Sequence, residues 1–126
     1  MFEILFWVYL VNLVLLILHE MDSAYWKEWQ LFHLPGGPGG FLLIHFPLYC
    51  LGLYGLIPLS QGMPAGLVYS LVISLAGVAA FSIHTWFLRK GHPEFNVPIS
   101  KLILWTTLVV LLAQAGITIS LLVKRS

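Results

Sequence analysis

Ile4-Leu5-Phe6-Trp7-Val8-Tyr9-Leu10-Val11-Asn12-Leu13-Val14-Leu15-Leu16-Ile17-Leu18-His19-Glu20-Met21-Asp22 is the stretch that decides the fold. From Ile4 to Leu18 only Asn12 interrupts an apolar run, and a membrane-crossing helix needs roughly 20 mostly apolar residues. The run is slightly short, but neither Gly nor Pro appears before Pro35, so the helix can continue through His19 to His33 into the headgroup zone. Tyr25, Trp26 and Trp29 are the aromatic types that settle at that level. The N-terminus lacks a basic region and a small-residue cleavage pattern, so the segment reads as a retained span rather than a signal peptide.

Composition agrees with this reading. Of 126 residues 60% are hydrophobic and 9% charged, with a mean hydropathy of +0.93. A soluble domain carries about 25% charged residues, so this chain cannot cover a water-facing globule. The same hydrophobicity excludes disorder. Six Lys and Arg against five Asp and Glu leave a net charge of +1, which gives no electrostatic footprint for nucleic acid. The single cysteine, Cys50, lies in an apolar run and forms no disulfide framework.

Outward from the first span, Leu34 to Gly40 is rich in Pro and Gly and reads as a turn. The second span follows from Phe41 to Leu59, Ser60 to Pro64 turns, and the third span runs from about Ala65 to Leu88. Arg89 to Pro93 stops it. The fourth span starts near Pro98, a residue suited to a first helical turn, and ends before Lys124. The expectation is an all-α, four-helix transmembrane bundle, a single integral membrane domain with spans at about 4–19, 41–59, 65–88 and 99–123. Four crossings place the termini and the 60–64 turn on one side, and segments 19–40 and 89–101 on the other. The second side carries Lys27, Arg89, Lys90 and Lys101 against Lys124 and Arg125 on the first, which weakly favours the second as cytoplasmic.

The polar residues are unevenly distributed. His19, His33, His45, His84 and His92 all lie at or near the second side, with Glu20, Asp22, Glu28 and Glu94; of the carboxylates only Glu3 lies elsewhere. His45 sits about 6 Å into the second span, and His84 about 7 Å below the exit of the third, at the helical rise per residue. His19 ends the apolar part of the first span, so three spans bring a histidine to about one level. His19 and Asp22, spaced i, i+3, share a helix face, and Glu20 lies on another. Ionisable side chains at such depth face the bundle interior, find partners and mark function. Imidazole and carboxylate on facing helices suit Zn or Fe. The candidate metal ligands are therefore His19, Asp22, His45 and His84, and the candidate acid/base residues Glu20 and Glu94.

Three readings of this cluster compete. One is a metal-binding protein, with Zn or Fe activating a water for a metal-assisted reaction on a lipid-phase substrate. Another is a self-satisfied hydrogen-bond network in a non-catalytic accessory subunit of a larger membrane complex or homo-oligomer. The third is a haem or pigment on His45 and His84, or proton handling. A small transporter is disfavoured, since no span is broken by Gly or Pro near its middle in corresponding halves. His33 and His92 read as solvated loop residues, Asn12 as an interhelical donor and Cys50 as an apolar filler. Ser74, Gly77 and Ala80 read as close helix packing.

The motifs His19-Glu20-Met21-Asp22 with Glu28-Trp29, His45-Phe46-Pro47-Leu48, Ile83-His84 and His92-Pro93-Glu94-Phe95 resemble an uncharacterised family of small bacterial four-span membrane proteins. More distantly the chain is similar to the HXXEE membrane family, from which it departs in holding Asp22 and Ser23 at the two acid positions. The resemblance implies a protein of the bacterial inner membrane, in contact with the bilayer, and supplies no reaction.

Overall fold

The computed structural model describes residues 1–125. Its helices are α1 (Phe2–Tyr25), α2 (Glu28–Leu31), α3 (Gly37–Tyr54), α4 (Leu56–Ser60), α5 (Pro64–Arg89) and α6 (Pro98–Val123), with no strand among the described residues. Four segments are long and apolar enough to cross a membrane: Phe2–Tyr25, Gly37–Ser60, Pro64–Arg89 and Pro98–Val123. The outer surface is apolar as lipid requires, with Trp7, Leu43, Phe46, Leu75, Val109 and Val123 all exposed. The chain is an all-α, four-helix integral membrane bundle.

Two local expectations are corrected. The first helix passes His19 but stops at Tyr25, short of His33. There Trp26 Nε1 donates to Asp22 Oδ1 at 3.1 Å, and Lys27 takes a left-handed conformation at φ 55°. That bend turns the chain so that Glu28 starts a separate short helix. The Pro/Gly turn is also shorter than its composition suggests: α3 begins at Gly37, within the expected turn. Gly36, at φ 87°, makes the turn, and Pro38 falls in the first helical turn, where its missing N–H costs nothing. Gly40 must lack a side chain, because a Cβ there would stand 2.2 Å from the Pro35 carbonyl oxygen.

Helices α1, α5 and α6 form the tightly packed part of the bundle. Without a hydrophobic driving force between helices in lipid, small residues and hydrogen bonds hold the seams. Gly77 meets Leu111 so closely that a Cβ would lie 2.8 Å from its Cδ2. Asn12 Nδ2 donates to Gln114 Oε1 at 2.8 Å, and Gln114 Nε2 donates to the Ser70 carbonyl at 2.9 Å and its hydroxyl at 3.1 Å. Thr118 gives its proton to the Gln114 carbonyl, so the Ser70 hydroxyl donates across the 2.7 Å contact to Thr118 Oγ1. One amide thus ties three helices. Gln114→Ala is expected to cost about 1–3 kcal/mol, read by reversible unfolding in mixed micelles. An unfolding free energy equal to that of wild type would mean the network contributes nothing to stability.

Helix α3 is held more loosely. It approaches α1 at Gly52, whose carbonyl accepts from Tyr9 Oη at 2.7 Å, and at Gly55, where a Cβ would collide with the same phenol. The helix breaks at Gly55 and resumes as α4, which packs on α1 and α5. Between residues 45–53 of α3 and helices α1 and α5 the chain leaves a gap.

Candidate functional site

Consecutive residues on a helix point about 100° apart, so His19 and Glu20 cannot serve the same neighbour. His19 turns to α5, where its ring lies 4.1 Å from that of His84 between centroids. Glu20 turns to α3, where its Oε2 stands 2.7 Å from His45 Nε2. Asp22, offset round the helix from His19, crosses the seam to α6 and accepts from Ser100 Oγ at 2.9 Å. The i, i+3 spacing that suggested a shared His19–Asp22 face instead spans two partners.

The four expected metal ligands are thus divided. His45 is engaged by Glu20, Asp22 by Ser100 and Trp26, and His19 stacks on His84. Among the described residues no group of three or more His, Cys, Asp or Glu side chains is disposed to hold a metal ion. Glu94 lies in the loop before α6 and pairs with His92 at 3.5 Å.

Two polar clusters result. In the first, His45 Nδ1 lies 2.7 Å from the Phe41 carbonyl, an acceptor only, so Nδ1 carries a proton. The neutral ring then presents a lone pair at Nε2. A lone pair facing a carboxylate oxygen at hydrogen-bond distance requires a proton between them. Neutral imidazole, carboxylate and one shared proton sum to zero charge, so the Glu20–His45 pair is electrically neutral. Stacking on Phe41, at 4.1 Å between centroids, fixes the imidazole plane.

This pair sits at the end of a cavity of about 150 Å³ between α1, α3 and α5. The walls are otherwise aliphatic, including Leu13, Leu16 and Ile17 of α1, Leu48 of α3, and Ile73 and Ala76 of α5, with Tyr49 beside the polar end. Leu48, Leu51, Leu53 and Val72 both line it and are 46–53% exposed on the outer surface, so the cavity opens sideways toward lipid.

In the second cluster His84, only 2% exposed, lies between the rings of His19 and Phe95, each 4.1 Å away between centroids. Phe95 holds φ +66°, a left-handed conformation rare for an aromatic residue. Glu28 Oε1 stands 3.7 Å from His84 Nε2. Glu28 Oε2 and the fully buried Ser23 hydroxyl have no hydrogen-bond partner among the described residues. Glu20 lies within electrostatic reach of both Glu28 and His84, so the two clusters adjoin.

Burial alone pushes the Glu28 carboxyl up, but polar interactions with His84 and Ser23 and the charges of His84 and His19 outweigh it and hold the group below the ordinary glutamate range. A carboxyl depressed on folding contributes stability that is complete above its unfolded value, about 4.3, and lost as pH falls through the lower folded value. Amides of α2 are therefore expected to lose hydrogen-exchange protection on acidification below about pH 4. Glu28→Gln should flatten that dependence. Identical acid profiles for wild type and variant would show that Glu28 does not dock α2.

His19, Glu20, His45 and His84 stand out in the sequence, whereas nothing there assigns a role to Glu28, Ser23, Tyr49 or Phe95. Glu28 carried a usable signal, an acid eight residues beyond Glu20 in a stretch free of Gly and Pro. The left-handed turn at Lys27 that folds it back has no such signal.

The chain belongs to the family of unknown function DUF6713, whose profile matches residues 5–121 and so takes in both clusters and the cavity. No curated protein and no solved structure matches the chain.

Proposed function

We propose that this membrane protein binds a lipid-phase molecule in the cleft between α1, α3 and α5 and exchanges a proton with it through Glu20 and His45. The observation that carries the reading is the placement of a proton-sharing carboxylate–imidazole pair at the one polar end of an otherwise aliphatic cavity. An apolar pocket with a few convergent polar groups is the usual form of a small-molecule site. Proton transfer by a positioned side chain is efficient when donor and acceptor are already in hydrogen-bond reach, as the 2.7 Å contact is. The pair takes a proton from a polar group of the bound molecule as it returns its shared proton to that group, ending as it began. Side-chain orientation supports the assignment, since the Phe41 carbonyl commits His45 Nδ1 and leaves Nε2 to share a proton with Glu20.

The test is native mass spectrometry of protein extracted in polymer-bounded native membrane discs, with elemental analysis of the same sample. An apolar molecule should be retained by wild type and lost from Ala76→Leu, which fills the cavity from an exposed position. Near-stoichiometric Zn or Fe, lost in His45→Ala, would make the pair metal ligands rather than a proton donor. An empty cleft alongside a co-purifying larger membrane protein would replace this reading with that of an accessory subunit.

A further inference from the structure

The cleft's ligand is limited by charge, by hydrogen-bonding capacity and by size, and all three point the same way. The Glu20–His45 pair, with its one shared proton, is neutral. A carboxylate or ammonium headgroup entering beside it would bring an uncompensated charge into a low-dielectric space, which is strongly unfavourable. The bound group is therefore itself neutral.

Capacity narrows it further. His45 has both ring nitrogens engaged, one by Phe41 and one by Glu20. Two polar groups at the polar end keep free capacity: Glu20, only one of whose oxygens contacts His45, and the Tyr49 phenol, which has no hydrogen-bond partner among the described residues. One accepts and the other donates, an arrangement matched by a hydroxyl, which can give its proton to the carboxylate and accept from the phenol.

Size completes the argument. A dry, aliphatic cavity of about 150 Å³ holds a benzene-sized group, so this one takes only the part of a ligand nearest its polar end. The rest must leave through the side opening past Leu48, Leu51 and Leu53. A slender chain can do this, whereas a broad ring system cannot be housed. We infer that the cleft binds a neutral single-chain lipid alcohol, its hydroxyl between Glu20 and Tyr49 and its chain passing between α3 and α5 into the bilayer. This rests on the cleft reading given above and adds the ligand class.

Three photoactivatable probes of equal chain length decide the point: a diazirine-bearing decanol, decanoic acid and decylamine. Each is equilibrated with the full chain in phosphatidylcholine nanodiscs at neutral pH, irradiated, and the labelled residues mapped by mass spectrometry. The alcohol should label cleft residues such as Leu48 and Ile73 at least tenfold more than the acid or amine. Tyr49→Phe should weaken that labelling about tenfold, the loss of one hydrogen bond, without changing the melting temperature. Ala76→Leu should abolish it. Equal or stronger labelling by the acid or the amine overturns the ligand class while leaving the cleft reading intact. Absence of cleft labelling by every probe, or undiminished labelling in Ala76→Leu, overturns both.

Discussion

His84→Ala is expected to lower the unfolding free energy by about 3–5 kcal/mol. The side chain is 2% exposed and touches three elements at once: His19 of α1, Glu28 of α2 and Phe95 of the loop before α6. Truncation opens a cavity between the two rings that His84 had separated. It also removes the imidazole that stands 3.7 Å from Glu28, a carboxylate whose second oxygen already lacks a hydrogen bond. Phe95 then has no ring to rest on, and its left-handed backbone, which costs of order 1–3 kcal/mol, loses the contact that offsets it. Hydrogen exchange should rise together in α2 and in residues 91–97, although the two lie far apart in sequence. His33→Ala is the control, since His33 makes no ring contact or ion pair among the described residues, and it should change stability by about 0.5 kcal/mol at most. Equal losses in both variants would show that the buried cluster has no special weight.

The architecture was legible because membrane spans are written in composition. Ile4 to Leu18, the Pro/Gly turn and Pro64 and Pro98 at helix starts each act through local physics, so they can be read without knowing what packs on what. Asn12 was likewise readable as an interhelical donor, and it bonds Gln114. The site was half legible for the same reason. Depth along a helix is a local quantity, and it brought out His19, His45 and His84 at one level. Direction around the helix is set by neighbours. Spacing put His19 and Asp22 on a common face, but α5 and α6 meet α1 on either side of the line between them, so one stacks on His84 and the other bonds Ser100. The same spacing set Glu20 apart from His19, and its separate face is the one α3 covers. The cavity was invisible because it exists only where α3, pinned at Gly52 and Gly55, fails to fill the space beside α5. No residue announces a gap.

The second large effect is a coupling, and its sign separates a functional pair from a merely stabilising one. His45→Leu leaves the Glu20 carboxyl at the end of an aliphatic cavity without the imidazole that shares its proton. Removing one partner of such a pair costs about 3–5 kcal/mol when the other stays charged, and less where the carboxyl neutralises. Glu20→Leu leaves His45 neutral with Nε2 unpartnered, a loss of about 1–3 kcal/mol. In Glu20→Leu/His45→Leu neither group remains to be desolvated, and two leucines extend the aliphatic wall already made by Leu13, Leu16 and Leu48. Replacing both partners by apolar groups is often neutral or stabilising. The double variant should therefore unfold at a denaturant midpoint at or above that of wild type, and above that of both singles. The same protein should have lost discrimination for the alcohol probe, since its hydroxyl acceptor is gone while its cavity remains. Stability regained with recognition lost is the signature of residues kept for chemistry rather than for holding the fold together. Simple addition of the two single losses would mean instead that Glu20 and His45 contribute through independent contacts, and the shared proton would have no role in the site.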